Sequence, residues 1–245
     1  MGRVYWRSRG AILKMLKPAY ITMPYGTRLI SYWSDATFQS IAKVEHGFEF
    51  SDFLHNYSVP FIFLDIGAHQ GLFSIIASKN KNCQRIFAFE PVKQTYSRLK
   101  QNIALNQCES ILCIDKAVGG TEDVRKMEVS SENTGAASMR PIGSSGPGDD
   151  LINVECIGPI FLSSLIGEVD LPIVVKIDVE GLELTVLKTL MESSFAQNIH
   201  AVLVEIESDW CCPVEIHNVL RQMNLIRVLS TGFRESNAHG ELWLS

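Results

Sequence analysis

From Phe61 onward, the hydrophobic positions of the chain alternate between two rhythms. Short runs of aromatic and β-branched residues give way to stretches in which apolar residues return every three or four positions. The first run, Phe61-Ile-Phe-Leu-Asp65-Ile, predicts a buried strand, and Leu72, Ile75 and Ile76 after it predict one face of a helix. The pattern repeats at residues 85–90, followed by a helix opened by Pro91 with Tyr96, Leu99 and Ile103 on one face, and by a strand at 111–114. It breaks between Gly119 and Leu162. There residues 126–129 and 153–157 predict an antiparallel pair, joined by a loop at 132–150 rich in Gly, Ser and Pro. A loop of that length inside a domain points to a flap on the substrate side. Alternation resumes with a strand at 172–178 and a helix carrying Val186, Leu187, Leu190 and Met191. A strand at 201–206, a helix from Pro213 with Val219, Leu220 and Met223, and strands at 225–229 and 241–244 complete the series. Strands alternating with helices imply right-handed crossovers and a parallel sheet. The predicted class is α/β, a doubly wound sheet closed by an antiparallel C-terminal hairpin.

Residues 1–60 lack this alternation. They read as an N-terminal helical extension with one or two helices, for example at 34–44, and a turn at His46-Gly47. Tyr25, Tyr32, Trp33, Phe38, Phe48, Phe50 and Phe53 predict that it packs on the main domain, residues 61–245, as a cap over the cofactor pocket.

Composition narrows the class. A chain of 245 residues, 46% of them hydrophobic, can bury the core of one α/β domain. No apolar run reaches the roughly 20 residues of a transmembrane segment. The apolar residues at 11–18 are interrupted by Lys14, Lys17 and Pro18, a poor secretory core, so the expected location is cytoplasmic. Cys83, Cys108, Cys113, Cys156, Cys211 and Cys212 show no metal-ligand spacing and read as reduced, mostly buried thiols; no metal site is expected. A net charge of −5 gives no general footprint for nucleic acid. The bases Arg3, Arg7, Arg9, Lys14, Lys17 and Arg28 precede the first acid, Asp35, and read as a solvated tail or a docked helix.

The candidate chemistry starts at Asp65, which closes the first strand ahead of Gly67 and Gly71. Glycines there permit a tight turn and let a ligand approach the N–H groups of the next helix. A dinucleotide fingerprint places a glycine where this chain has His69, so the turn suits S-adenosylmethionine better than NAD. Asp65, Glu90, Asp178 and Glu205 all end predicted strands, and in a parallel sheet those ends share the ligand-binding edge. Glu90 lies roughly twenty residues beyond the first glycine, the separation at which an acid reaches ribose hydroxyls. Asp115 could bond the adenine amine, with Ala117 beside the ring. Lys176, Asp178 and Glu180 alternate with Ile177 and Val179, and on an extended chain they would share one face. A buried strand seldom carries that much charge without a function.

Taken together, these residues resemble the FkbM family of methyltransferases. The matching segments are Phe-Leu-Asp65-Ile-Gly67-Ala68-His69-Gln70-Gly71, Phe-Ala-Phe-Glu90-Pro91, Lys116-Ala117-Val118-Gly119, Glu132-Asn133-Thr-Gly135-Ala-Ala-Ser138, Val-Lys176-Ile-Asp178-Val-Glu180-Gly181-Leu-Glu183 and Val-Leu-Val-Glu205-Ile. The resemblance implies the class I methyltransferase, Rossmann-like fold, a seven-stranded sheet of order 3-2-1-4-5-7-6 with strand 7 antiparallel. It implies S-adenosylmethionine as cofactor and methyl transfer to a hydroxyl on a sugar or other small-molecule acceptor. By position, Asp65, Gly67, Ala68, His69 and Gly71 would line the methionine end, Glu90 the ribose, and Asp115, Lys116 and Ala117 the adenine. Asp178 and Glu180 would face the methyl group and the acceptor, with Asp178 preferred as base or anchor and His69 ranked third. No nucleic-acid partner, transmembrane segment or metal is expected, and a homodimer is left open. The alternative is a non-catalytic or NAD-type nucleotide-binding protein of the same fold.

Overall fold

The computed structural model describes residues 10, 12–43, 48–137, 139, 150–208, 211–232 and 238–245. A short antiparallel hairpin, β1 (Tyr20–Thr22) and β2 (Arg28–Ile30), leads into helices α1 (Ala36–Ala42) and α2 (Phe48–Asn56). The alternating region follows as β3 (Phe61–Ile66), α3 (Leu72–Ser78), β4 (Cys83–Phe89), α4 (Lys93–Asn106) and β5 (Ile111–Ile114). A side sheet comes next, built from β6 (Ala117–Val118), β7 (Val124–Val129) and β8 (Asp150–Ile157), and then α5 (Pro159–Ile166). The chain ends with β9 (Ile173–Ile177), α6 (Glu183–Glu192), β10 (Ile199–Glu207), α7 (Pro213–Gln222), β11 (Ile226–Gly232) and β12 (Ala238–Leu244).

The main sheet runs β5-β4-β3-β9-β10-β12-β11. Its strands are parallel except β12, which pairs antiparallel with both β10 and β11. This is the 3-2-1-4-5-7-6 order of the class I methyltransferase fold. β3 and β9 are neighbours at the centre, where the strand order reverses, and ligands bind at such a switch point.

The side-chain period of two explains the layers. On β3, Ile62, Leu64 and Ile66 enter a core with Leu162, Val186, Leu187 and Ile216 from α5, α6 and α7. The intervening Phe61 and Phe63 enter a second core with Ile75 of α3 and Leu99 of α4. That second core also holds Leu29, Phe38 and Leu54, all fully buried, so residues before β3 fill the face that α3 and α4 leave open. Phe38 is gripped edge-on by the rings of Tyr32 and Trp33, with centroids 6.4 and 5.1 Å away.

Several local expectations need correction. The β1–β2 hairpin went unforeseen because each strand has only three residues, too few for periodicity to register. α5 was hidden by the long irregular stretch before it. Pro91 does not open the following helix: α4 starts at Lys93 with Val92 as its cap. β9 stops at Ile177, so Asp178 and Glu180 lie on the turn beyond it rather than on one extended face with Lys176. Glu180 and Gly181 at φ 53° and 98° bend that turn toward α6. Met191 is 37% exposed and does not belong to the buried face of α6. β8 begins at Asp150 and pairs Lys126 with Asn153. Among the free cysteines, only Cys108 and Cys156 are buried. Arg3, Arg7, Arg9, His46-Gly47 and most of the 132–150 loop lie outside the described residues. Among the described residues no helix is long and apolar enough to cross a membrane.

Phe38→Ala should cost about 3–5 kcal/mol of unfolding free energy, as expected for deleting a buried ring. Urea denaturation measures it; a loss below about 1 kcal/mol would mean that residues 1–60 unfold as a cap apart from 61–245.

Candidate active site

Two turns meet at the carboxyl ends of β3 and β9. The first turns sharply: Gly67, His69 and Gly71 have φ of 76°, 51° and 87°. A Cβ on Gly67 would lie 1.9 Å from the backbone oxygen of Asp178, so a side chain there would push the two turns apart. Gly71 caps α3 against Leu99, whose Cδ1 would stand 2.5 Å from an added Cβ. The amides of Gly67 and Ala68 both donate to the carbonyl of Phe89, which ties the turn to the end of β4.

Lys176 joins the turns from beneath. Its Nζ donates to the Gly67 carbonyl at 2.6 Å and lies 3.2 Å from Asp178 and 3.7 Å from Asp65. Burial opposes the charge, yet Asp178 and Asp65 hold its pKa above the ordinary lysine value. Asp65 is fully buried and accepts from Ser74 Oγ at 2.6 Å. Burial pushes its carboxyl upward, against the pull of Lys176 and Ser74.

Glu90 accepts from the His69 amide on one oxygen and from the Val92 amide on the other, both at 2.9 Å. Burial lifts its pKa to about 7 despite those bonds. Glu205, at the end of β10, is lifted to about 8 by burial and then by Asp178. His69 goes the other way, pulled down to about 4 by burial against the opposing charges of Asp35 and Asp178.

A cavity of about 480 Å³ opens at this edge. Gly67, Ala68, His69 and Glu90 line it beside the first turn, Lys116 and Ala117 beside β6, and Asp178 and Glu180 beside the second turn. Three expected residues are not on its wall: Asp65 and Gly71 stand behind it, and Asp115 is exposed on the turn after β5. Lys176 and Glu205 do line it, although only their charge at a strand end signalled them. Thr37, Asn133 and Thr134 also line it, brought by α1 and the start of the long loop, where no periodicity marked them. So does Gln70, which is fully buried and whose amide nitrogen and oxygen have no hydrogen-bond partner among the described residues. A buried amide left unmatched costs about 1–3 kcal/mol unless a ligand completes it.

The described wall therefore carries the acids Glu90, Asp178, Glu180 and Glu205 against the ammonium groups of Lys116 and Lys176, and Lys116 is already paired with Glu155. Such a site suits a cation.

The methyltransferase FkbM domain matches residues 65–234, most of the chain. The chain belongs to the FkbM methyltransferase family. A hexuronic acid methyltransferase, AglP, from Haloferax volcanii is 34% identical over 149 residues, 59% of this chain and 55% of its own length. The chain thus spans about half the length of that relative. Among solved structures, a human methyltransferase 10 domain containing protein aligns with a TM-score of 0.52 at 11% identity, covering 100% of this chain and 96% of its own. An rRNA methylase from Streptococcus thermophilus aligns with a TM-score of 0.49 at 11% identity, over 80% of this chain and 94% of its own. The FkbM chain takes S-adenosylmethionine as cofactor, which sets aside the NAD reading. The residues fit it: the acidic wall suits a sulfonium and an ammonium group, and the unmatched Gln70 amide offers both a donor and an acceptor.

Glu205→Gln should separate the cost of the acidic wall from its use. A carboxyl whose pKa rises from 4.5 to about 8 on folding destabilises the fold progressively as pH rises through that window. Above pH 8 the variant is expected to be more stable by on the order of 5 kcal/mol, a melting shift of about 10–20 °C, and equal to the parent below pH 4.5. Calorimetry across that range checks it; a variant less stable at high pH would refute the electrostatic reading.

Proposed function

We propose that this FkbM methyltransferase moves the methyl group of S-adenosylmethionine to a hydroxyl on a sugar or another small hydroxylated acceptor. The observation that carries this reading is the contact between the two turns. It sets Asp178 directly against the glycine turn, with Glu180 on the same cavity wall, which supports reading these two acids as the acceptor side and the glycine turn as the cofactor side. When bound, the cofactor supplies an electrophilic methyl on a sulfonium. The protein's part is alignment, which can contribute on the order of 7–11 kcal/mol in such displacements. Gly67, Ala68, His69 and Gln70 hold the methionine end, Glu90 the ribose, and Lys116 and Ala117 the adenine end. Asp178 and Glu180 hydrogen-bond the acceptor hydroxyl and hold it in line. Asp65 and Gly71 support the turn from behind.

The relative's printed substrate, a hexuronic acid, supports a sugar acceptor. The charge balance of the described wall favours a neutral sugar over an acidic one, because Asp178 and Glu180 already match the ammonium groups of Lys116 and Lys176, and Glu90 and Glu205, lifted to about 7 and about 8, can add only negative charge as they ionise. A hexuronate is the second reading.

The test is methyl transfer from S-adenosylmethionine to p-nitrophenyl β-D-glucoside and to the matching glucuronide, read by mass spectrometry of the product. Methylation of the glucoside in preference to the glucuronide is expected; the reverse preference would favour the second reading, and methylation of neither would sink the sugar assignment. Asp178→Asn should leave S-adenosylhomocysteine affinity within about twofold while lowering turnover about a hundredfold. Glu90→Ala should weaken that affinity about ten- to a hundredfold, the worth of one charge-assisted hydrogen bond. Titration calorimetry reads both, and wild-type affinity in Glu90→Ala would remove Glu90 from the ribose site.

A further inference from the structure

His69 sits at the cavity wall in a chain of hydrogen bonds whose direction can be worked out. Arg98 Nη1 lies 2.6 Å from Asp35 Oδ2 in a buried ion pair. The amides of Thr37 and Thr134 donate to the other oxygen of Asp35 at 3.1 and 3.3 Å. Every group around Asp35 is thus a donor, and Asp35 itself only accepts. The hydroxyl of Thr134, 2.6 Å from Asp35 Oδ2, must spend its one proton on that carboxylate. Thr134 Oγ1 can then only accept from His69 Nε2, 2.7 Å away. Nε2 must carry a proton. Burial keeps the ring neutral at ordinary pH, so Nδ1 holds the lone pair and is the ring nitrogen left for a ligand. The charged groups acting on the ring are Asp35, Asp178, Lys176 and Arg98.

We propose that His69 is the catalytic base of the methyl transfer, and that Thr134 and Asp35 are positioning residues that fix its tautomer. This rests on the O-methyl transfer reading above and deepens it. Asp178 is engaged by Lys176 at 3.2 Å and serves as the acceptor anchor. In the transfer, the acceptor oxygen forms its bond to the methyl carbon as the carbon–sulfur bond breaks and leaves its electron pair on sulfur. The hydroxyl proton passes to His69 Nδ1, and the imidazolium so formed keeps its Nε2–H on Thr134 and later releases the new proton to water. The arrangement follows the logic of a base oriented by a third group, with a threonine hydroxyl between imidazole and carboxylate. It also assigns a function to a histidine standing where a dinucleotide fold needs glycine.

The test uses the full chain labelled with ¹⁵N-histidine and loaded with S-adenosylhomocysteine, the His69 signal being identified by its loss in His69→Gln. Nitrogen shifts should report an Nε2-protonated neutral ring in the wild type and in Thr134→Ser. In Thr134→Val, which keeps the shape and loses the hydroxyl, the tautomer preference should disappear. In glucoside methylation, His69→Gln should lower kcat by about 10²–10⁴. Thr134→Val should lower kcat about tenfold with KM within about twofold, and Thr134→Ser should restore it. An Nδ1-protonated ring in a wild-type chain that methylates the glucoside would overturn the base role alone, as would unchanged kcat in His69→Gln. A wild-type chain that methylates neither glycoside would defeat the sugar reading and the base role together.

Discussion

The site depends on one buried ammonium. Lys176 enters from a fully buried central strand of the sheet and joins the β3 turn, through the Gly67 carbonyl, to the β9 turn, through Asp178, with Asp65 behind. Removing such a charge from water costs several kcal/mol, and only close oxygens offset that. The three oxygens therefore have to be where they are. Their placement fixes the distance between the two turns, and the absence of a side chain on Gly67 permits it. The carboxylate of Asp65 acts in this design by holding Lys176 and Ser74 from behind the cavity wall.

A second buried pair does the equivalent job for the outer wall. Asp35 and Arg98 link α1 to α4, and Thr134 brings the segment after β7 onto the same carboxylate. Residues far apart in the chain thus share one acceptor. Because α1 also buries Phe38 among β3 side chains, the wall of the site and the core of that face are one piece of packing. The acids facing the cavity are uncomfortable in this setting: Glu90 and Glu205 both sit well above the ordinary carboxylate range. A cationic ligand beside them would relieve that discomfort, which is the charge the proposed cofactor carries.

The parts legible in the sequence were those set by local periodicity and by residue type at strand ends. β3 and α3 could be read because each buries a regular pattern, and Glu90 and Asp178 because an acid at or just beyond the end of a buried strand is conspicuous; the strand order came only from the family resemblance. The rest depends on long-range contact. Thr134 and Asp35 are ordinary polar residues in the sequence and become significant only when 99 positions of separation close to 2.6 Å. Gln70 reads as a turn residue until its burial leaves the amide unmatched. Asp115 illustrates the converse. An acid two residues before an alanine looked like an adenine clamp, but the turn after β5 directs it to solvent.

His69 ties these observations together. A glycine at this position would admit a pyrophosphate to the helix N-terminus. A histidine held at φ 51° puts a side chain at that approach, while its amide still reaches Glu90 and so keeps that carboxyl in place. One residue then separates this turn from a dinucleotide site by its bulk, orients Glu90 by its backbone, and reaches the outer wall by its ring. Those contacts share a single turn, so Thr134 and Glu90 are linked through the same residue. The outer wall and Glu90 are joined by two hydrogen bonds from His69, one from its amide and one from its ring.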